Sequence, residues 1–335
     1  MVRAALVLAG VAAAAVLAQT DAPERQRVPR ANPLLVRRTV GENLEGLTAG
    51  GGDVWVNDFG RERLLRIDGR SGRVVARFAL GRRIALAADR RRGVWALRWG
   101  GRFLRTPNGP LYRIDPATNR ITARVALDPD EIYFGVLSDG RDVWVWGPRN
   151  VVHIEPSTGF LASQFRIRDD SSELTGAVLH DGVLLATTTD GRLLHIGRGG
   201  LRRSHAMPEL ARAELLAVDR GNALAAVAGA LVAIDARTGR PRWRRPLGFR
   251  ISTMLPRDGI LLVHGAAFHD AGDRLWAIDT ATGRVLASTL VPSFGTTGML
   301  AAGGALWFAT AAGEVIVVPP LLVRLFVARA KSGRH

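Results

Sequence analysis

The sequence contains no cysteine and a single lysine, Lys331, among its 335 residues. Without cysteine the chain can form no disulfide, thiolate metal site, cysteine nucleophile or lipid-modified N-terminal cysteine. The other basic side chains are arginines and a few histidines, and the formal net charge is +16. This charge favours anionic partners such as envelope polymers, phospholipid or nucleic acid. The arginines are spread along the whole chain, however, which favours a solvated surface over one basic patch.

Familiar nucleotide-binding and catalytic motifs are also missing. The sequence has no glycine-rich phosphate loop between a strand and a helix, and no nucleophile elbow. No recognised nucleic-acid-binding module accompanies the positive charge. We therefore expect no specific nucleic-acid partner.

Long hydrophobic runs are absent after the N-terminus. Residues 1–18 carry one early arginine, then fifteen uncharged residues, and end in the small-residue sequence Val16-Leu17-Ala18. This pattern predicts a secretory signal peptide. An uncleaved anchor is the alternative, although a span needs about 20 apolar residues. Residues 19–33 are polar and contain proline, so we expect a linker and an extracytoplasmic location: secreted, periplasmic or cell-surface.

One short sequence pattern recurs along the rest of the chain. Its anchor is an isoleucine, usually followed by an acid, and it occurs at Ile67, Ile114, Ile154, Ile196, Ile234, Ile278 and Ile316. The spacing is 38 to 47 residues. Each anchor follows an apolar strand, a glycine-containing turn and a short strand of small residues. A period near 40 with four short strands is typical of a β-propeller blade. We therefore predict an all-β fold, a single seven-bladed β-propeller over residues 34–320, followed by a C-terminal tail, 321–335.

The most regular part of the pattern predicts a hairpin turn between the third and fourth strands. It occurs at 67–73, 114–120, 154–160, 234–240 and 278–284. The acids are expected to accept hydrogen bonds from turn amides: Asp68, Asp115, Glu155, Asp235 and Asp279. One shared slot is expected to have positive φ: Gly72, Asn119, Gly159, Gly239 and Gly283. These acids are thus interpreted as turn caps, not catalysts.

The seventh blade lacks a fourth strand of its own, because Pro319 and Pro320 follow its third strand. Residues 34–41 resemble the strand that closes the first blade. We predict that this N-terminal segment supplies the outer strand of the last blade and closes the ring, which removes an exposed edge. Residues 321–329 are the competing candidate for this position.

The repeats resemble those of secreted β-propellers of the pyrroloquinoline-quinone-like, YVTN and virginiamycin-B-lyase-like families. Residues 231–243, with Trp243 after the turn, are similar to the quinoprotein repeat, and residues 46–75 are similar to the lyase-type repeat. The resemblance covers residues 34–318 and implies the architecture, whereas one such ring hosts unrelated activities. Quinone-dependent dehydrogenases of this kind have eight blades, a vicinal disulfide and calcium ligands. Seven repeats without cysteine therefore argue against quinone chemistry and a bound cofactor.

Two expanded loops, 97–110 and 264–274, interrupt the repeats on one face of the predicted ring. Insertions of this kind often lie on a binding face, although neutral loop drift is the alternative. Aromatic and charged residues of the first loop and its neighbours could form a ligand-binding patch for sugars, peptides or polar small molecules. This patch comprises Arg98, Trp99, Asp130, Glu131, Tyr133, Trp146, Arg149 and Asp170.

The second expanded loop contains imidazoles and carboxylates that could hold a divalent ion: His264, His269, Asp270 and Asp273. The lyase-type resemblance implies histidines and a glutamate that bind magnesium on this face. This sequence lacks a Glu-x-His pair in the corresponding strand, so those roles do not transfer residue by residue. Solvated loop residues are the competing interpretation.

These observations favour a non-catalytic, extracytoplasmic binding scaffold that presents its top face to a protein, a glycan or a small ligand. The alternative is a metal-assisted lyase or hydrolase of the virginiamycin-B-lyase-like type. Attachment to anionic envelope polymers by charge could accompany either function. We expect a monomer.

Overall fold

The computed structural model describes residues 35–89, 93–99, 109–167, 172–213, 215–267, 273–291 and 295–332. The predicted signal peptide and linker lie outside these residues. Within the described ranges, 28 strands form seven four-stranded antiparallel sheets, and one α-helix follows the last strand. No helix in the described part of the chain is long and apolar enough to cross a membrane.

Each sheet is one blade of a propeller, and the first strand of the chain, β1 (Val36–Thr39), belongs to the last blade. Blade 1 consists of β2 (Leu44–Gly50), β3 (Asp53–Asp58), β4 (Arg63–Ile67) and β5 (Val74–Phe78). Blade 2 consists of β6 (Ile84–Asp89), β7 (Gly93–Arg98), β8 (Leu111–Asp115) and β9 (Arg120–Val125). Blade 3 consists of β10 (Gly135–Ser138), β11 (Val143–Trp146), β12 (Asn150–Ile154) and β13 (Leu161–Arg166).

The remaining blades have the same strand order. Blade 4 consists of β14 (Leu174–His180), β15 (Val183–Thr188), β16 (Arg192–Gly197) and β17 (Gly200–Ala206), followed by a 3-10 turn, Pro208–Leu210. Blade 5 consists of β18 (Leu215–Asp219), β19 (Asn222–Val227), β20 (Ala230–Asp235) and β21 (Pro241–Pro246). Blade 6 consists of β22 (Phe249–Arg257), β23 (Ile260–Ala267), β24 (Asp273–Asp279) and β25 (Val285–Val291). Blade 7 consists of β26 (Thr296–Ala302), β27 (Ala305–Thr310), β28 (Glu314–Val318) and β1.

The blades form a closed ring in which the innermost strand of each blade lies beside those of its two neighbours. The ring closes where β26 of blade 7 meets β2 of blade 1. The second strands, such as β3 and β19, are buried along their whole length because each blade packs on both faces. The hydrophobic core therefore lies between consecutive blades, as the apolar second strands of the sequence predict.

The N-terminal segment closes the ring, as predicted. β1 pairs antiparallel with β28, with Val36 opposite Val317 and Thr39 opposite Glu314. The competing segment forms a helix instead, α1 (Pro320–Ser332), which lies against β25 and β27. Proline is favoured in the first turn of a helix and cannot continue a ladder, so Pro319 and Pro320 explain the change from strand to helix.

The recurring hairpin turns have the predicted capping geometry. Asp68 Oδ1 accepts a hydrogen bond from the Ser71 amide at 2.6 Å, and Asp235 Oδ1 accepts one from the Thr238 amide at 2.8 Å. Hydrogen bonds from Ser71 lower the pKa of Asp68 below its usual value. The shared slot has φ between 56° and 73° at Gly72, Asn119, Gly159, Gly239 and Gly283. Four of the acids, Asp68, Asp115, Asp235 and Asp279, are therefore turn caps, whereas the Glu155 carboxylate accepts a hydrogen bond from the Ser157 hydroxyl at 2.9 Å.

Candidate binding surface on the top face

The top face carries the loops between the second and third strands of each blade and the links from one blade to the next. Both kinds of segment lie at the same end of the strands, because neighbouring strands in a blade are antiparallel. The opposite, bottom face carries the recurring third-to-fourth-strand turns. The described members of the predicted ligand-binding set come from segments at the top end of blades 2 and 3.

Three half-buried aromatic rings form a row on this face, and we call Trp99, Phe134 and Trp146 the aromatic row. Trp99 and Phe134 meet edge to face with ring centroids 5.8 Å apart. Phe134 and Trp146 also meet edge to face, at 6.2 Å. Edge-to-face contact is a favourable arrangement for aromatic pairs. The row therefore joins the top of blade 2 to the top of blade 3.

Backbone hydrogen bonds hold the aromatic row in place. The Trp99 amide donates to the Arg83 carbonyl at 2.9 Å, and the Phe134 amide donates to the Trp146 carbonyl at 2.8 Å. A Cβ at Gly135 would lie 2.3 Å from Trp146 Nε1, so glycine is required for the indole to lie over β10. The row is thus positioned by strand ends and not by a free loop.

A charged pair continues the row towards blade 1. The Arg83 guanidinium lies 4.8 Å from the centroid of the Trp99 ring, within cation–π range. Burial raises the pKa of Glu45, and the charge of Arg83 partly offsets that rise. Arg83 therefore interacts both with an aromatic face and with a partly desolvated carboxylate.

Sequence reasoning missed Glu45, Arg83 and Phe134. Arg83 lies in the link between blades 1 and 2, and Phe134 follows Tyr133 at the end of the link between blades 2 and 3. The prediction took charged and aromatic residues from only some of the links between blades. Taking such residues from every link on the top face would have found Arg83. Glu45 was harder to find from the sequence, because it is marked only as a charged residue at the top end of an innermost strand.

Of the predicted patch residues, Tyr133 is buried and Arg98 is half-buried against neighbouring backbone. Tyr133 is 1% exposed and lies in the core between blades 2 and 3. Burial, together with the nearby charge of Asp128, raises the pKa of Tyr133 to about 12. Arg98 packs against Gly81 and Gly109, where hypothetical Cβ atoms would lie 3.0 and 2.5 Å from its side chain.

The charged members of the predicted patch are divided among separate contacts. Glu131 accepts hydrogen bonds from Asn150 Nδ2 at 2.8 Å and from Arg166 Nη2, which ties the link before blade 3 to that blade. Arg149 Nε lies 3.6 Å from Glu173 Oε1 of the next link. Asp130 is exposed to solvent, and Asp170 lies outside the described residues. Of the predicted residues, only Trp99 and Trp146 belong to the aromatic row.

The predicted metal residues are only partly described. His264 on β23 is fully buried, and its Nε2 lies 3.6 Å from Asp273 Oδ2 on β24. Burial lowers the pKa of His264 to about 4 and raises the pKa of Asp273. His269 and Asp270 lie outside the described residues. In the ranges that are described, no group of three or more metal-ligating side chains is found, and the divalent-metal site stays a prediction.

A family model described as "Outer membrane protein assembly factor BamB" matches residues 107–322. The chain belongs to this family. The match supports the quinoprotein-like part of the predicted resemblance, while the YVTN and lyase-type parts stay predictions. No curated protein matches the chain.

Several solved β-propellers share the fold of this BamB-family chain. BamB from Moraxella catarrhalis is 15% identical with a TM-score of 0.54, and the match covers 82% of this chain and 85% of that chain. The Cps50 (Swd1) propeller of Myceliophteria thermophila is 10% identical with a TM-score of 0.67, covering 83% and 96%. A chain of a mitotic checkpoint complex is 11% identical with a TM-score of 0.63, covering 89% and 96%. At these identities the similarity establishes the fold alone.

Proposed function

We propose that this protein is a non-catalytic scaffold that binds a protein partner through its top face, outside the cytoplasm. Two comparisons support a role in protein assembly. The family is described by the name of an outer membrane protein assembly factor, and one similar propeller is part of a mitotic checkpoint complex. The family name and the predicted signal peptide both favour an envelope location.

The aromatic row is the observation that carries the proposal. Tryptophan and arginine are enriched among the residues that dominate binding energy at protein interfaces. Here two tryptophans, Phe134 and Arg83 are half-buried beside one another, so their rings are already ordered before a partner binds. A preordered surface loses less conformational entropy on association. A glycan or a small ligand stacked on the same rings would be a variant of this function.

Site-specific photocrosslinking tests the proposal in the native organism. A photoreactive phenylalanine analogue is placed at Trp146, and a second chain carries it at Phe160, a 74% exposed aromatic on the bottom face. We expect a discrete protein adduct from position 146, reduced at least about tenfold by Trp99→Ala, as for an interface hot spot. Equal adducts from both positions, or none from 146, would contradict a top-face scaffold. N-terminal sequencing of the same protein checks whether the signal is cleaved after residue 18.

The metal-assisted lyase or hydrolase is kept as a second candidate because His264 Nε2 lies 3.6 Å from Asp273 Oδ2 and has no hydrogen-bond partner among the described residues. An added metal at about 100 times its dissociation constant should stabilise the fold by about 2.7 kcal/mol. We expect no rise in melting temperature when magnesium, calcium or manganese is added after EDTA treatment. A rise with one metal that disappears in His264→Leu would favour the enzyme.

A further inference from the structure

On the bottom face, a side chain from one blade fills the gap to the recurring turn of the next, and we call each such gap an inter-blade slot. Between blades 1 and 2 the slot is filled by Arg66 of β4, whose Cζ lies 5.7 Å from the centroid of the Trp55 ring. Arg66 forms an ion pair with Asp53 at 2.5 Å and donates to the Pro116 carbonyl and Asn119 Oδ1 in the turn of blade 2. The slot is therefore closed by a guanidinium.

Other slots are filled in comparable ways. Arg113 lies over Trp95 and donates to the Pro156 carbonyl at 3.3 Å in the turn of blade 3. Between blades 5 and 6, Trp243 Nε1 donates to the Thr280 carbonyl at 3.1 Å. The same carbonyl position of the recurring turn is thus reached from the preceding blade each time.

Between blades 3 and 4 an imidazole takes the place of the arginine. His153 packs against Trp144 with ring centroids 4.6 Å apart, and its Nε2 lies 2.6 Å from Asp142 Oδ1. Asp142 in turn accepts hydrogen bonds from Arg198 of blade 4. His153 therefore packs between the two blades.

In the slot where the ring closes, between blades 7 and 1, no described side chain of the third strand takes this place, and Arg38 of β1 packs against Gly72 of the turn instead, with its Nε 3.0 Å from the position of a hypothetical Cβ. Trp307 is paired with Val317, in the register that pairs Trp55 with Arg66 and Trp95 with Arg113. Valine is too short to reach the turn of blade 1. The space that the arginine would fill is a pocket of about 420 Å³, and we call it the closure pocket. It is lined by Val36, Arg38, Trp307, Val317 and residues 69–73.

The closure pocket combines an apolar floor with positive walls. Val36, Val317 and the 2%-exposed Trp307 supply the floor. Trp307 Nε1 is a buried donor with no partner in the described residues, whereas Trp55 Nε1 donates to the Gly50 carbonyl. Trp95 and Trp144 also have unpartnered indole nitrogens, but Arg113 and His153 cover their rings.

Three arginines belong to the pocket lining: Arg38, Arg70 and Arg73. The nearest acid along the chain, Asp68, already accepts hydrogen bonds from the Arg70 and Ser71 amides as the turn cap. Arginine pairs with carboxylates through two parallel hydrogen bonds. The lining thus offers guanidinium groups to an anion and an apolar surface to its body.

We propose that the closure pocket is a binding site for a carboxylate that carries an aromatic or branched aliphatic group. The carboxylate pairs with Arg38 and Arg70, and the apolar group lies against Val317 and the Trp307 indole. The ligand occupies the position that Arg66 and Arg113 occupy in their slots. The site is on the bottom face, so it does not depend on the proposed function of the top face.

The test is a ¹⁹F NMR titration of the full chain with 4-fluorobenzoate, compared with its neutral analogue 4-fluorobenzamide. A ligand of this size should bind with a dissociation constant on the order of 1 mM. We expect the benzamide to bind at least about tenfold more weakly, because it lacks the charge that the arginines recognise. Equal binding of the two compounds, or no binding of benzoate, would overturn the proposal.

Three variants place the binding in the closure pocket. The double variant Arg38→Gln and Arg70→Gln should weaken benzoate binding at least about fivefold. Val317→Phe should weaken it by filling the space in which the apolar group lies, and Val317→Leu serves the same purpose if the larger variant does not fold. Arg244→Gln, on the exposed outer strand β21, removes a charge elsewhere and should bind as the unaltered chain does. Unchanged binding in the double variant would contradict the assignment.

A titration with peptides distinguishes two sources of such a carboxylate, a protein C-terminus and a free small molecule. Gly-Gly-Phe with a free C-terminus is compared with the same peptide carrying a C-terminal amide. Binding of the acid at least about tenfold tighter than 4-fluorobenzoate would identify a protein C-terminus as the ligand. Binding no tighter than 4-fluorobenzoate would identify a free small carboxylate.

Discussion

The imidazole of His264 is fully buried, and neither ring nitrogen has a hydrogen-bond partner among the described residues. It packs against Phe308 of the next blade, with ring centroids 5.6 Å apart. Charging such a group in an apolar environment is costly, so burial lowers the pKa of His264 to about 4. In this environment His264 acts as a neutral core residue.

This burial predicts a loss of stability in mild acid. The unfolded chain binds a proton at His264 below about pH 6.5, whereas the folded chain binds it only near pH 4, so stability falls as the pH falls between these values. We expect this residue alone to cost about 2 kcal/mol between pH 8 and pH 5. Urea unfolding at both pH values, compared between the unaltered chain and His264→Leu, measures the difference.

The neighbouring carboxylate of Asp273 has the opposite effect on stability. Burial raises the pKa of Asp273, so the folded state binds a proton before the unfolded state does and gains stability as the pH falls. The comparison with His264→Leu separates the two effects. His180→Gln, at the half-buried end of β14, is the matched control and should keep the pH dependence that is due to His264. A His264→Leu variant with the same pH dependence as the unaltered chain would contradict the prediction.

At the scale of elements, β1 is held in place almost wholly by backbone pairing. All four of its residues are exposed, yet it covers the edge of β28 and completes blade 7. An uncovered strand edge is a template for pairing with another chain. The strand therefore protects the ring from self-association while contributing little to the core.

Removal of this strand should leave a folded ring with an open edge. We expect a chain that begins at residue 41 to form dimers or larger species in size-exclusion chromatography with light scattering. Its melting temperature should fall by about 2 to 4 °C for each kcal/mol lost. A chain that begins at residue 34 keeps β1 and is the control. A monomeric truncated chain with an unchanged melting temperature would show that β1 is dispensable.

The elements were predictable from the sequence to different extents. The repeat spacing and the turn residues predicted all seven blades and the closing strand, because strand alternation and positive-φ slots are local properties of the chain. Residues 321–329 were left open, since a short apolar run fits either a strand or a helix. The top face was less predictable, because a one-residue offset in a link puts Tyr133 in the core and Phe134 in the aromatic row. The closure pocket was not predictable from the sequence, because it is recognised only when the inter-blade slots are compared in the structure.

At the scale of the whole molecule, the outermost strands of the blades carry positive charge without negative charge. The outer strands contain no aspartate or glutamate, and all of them except β25, which has no charged residue, contain arginines: β1, β5, β9, β13, β17 and β21. Arginines that are scattered in sequence are therefore gathered on one rim, because every fourth strand faces outward. These outer-strand arginines are exposed, in line with the expectation of a solvated surface.

The rim should bind polyanions in a salt-dependent way. We expect the chain to be retained on a dextran sulfate column, and the triple variant Arg202→Gln, Arg203→Gln and Arg244→Gln to elute at a lower salt concentration. These residues are exposed on the outer strands of blades 4 and 5, and such exposed charges are screened over about 8 Å at physiological salt. The control triple Arg61→Gln, Arg141→Gln and Arg220→Gln changes exposed turn residues. If both triple variants lowered the salt concentration of elution equally, retention would depend on the total charge and not on the rim.

The pairing of β1 with β28 also sets the order in which the chain can fold. The first strand must wait for almost the whole chain to be made before its partner exists, on the order of tens of seconds at the usual rate of synthesis. Until then six blades can assemble from contacts between neighbouring segments, while blade 7 is incomplete. Closing the ring is the contact of longest range, so it carries the largest loop-closure cost and is expected to form late. The closure pocket would therefore be absent from every nascent chain and would report that the ring is complete.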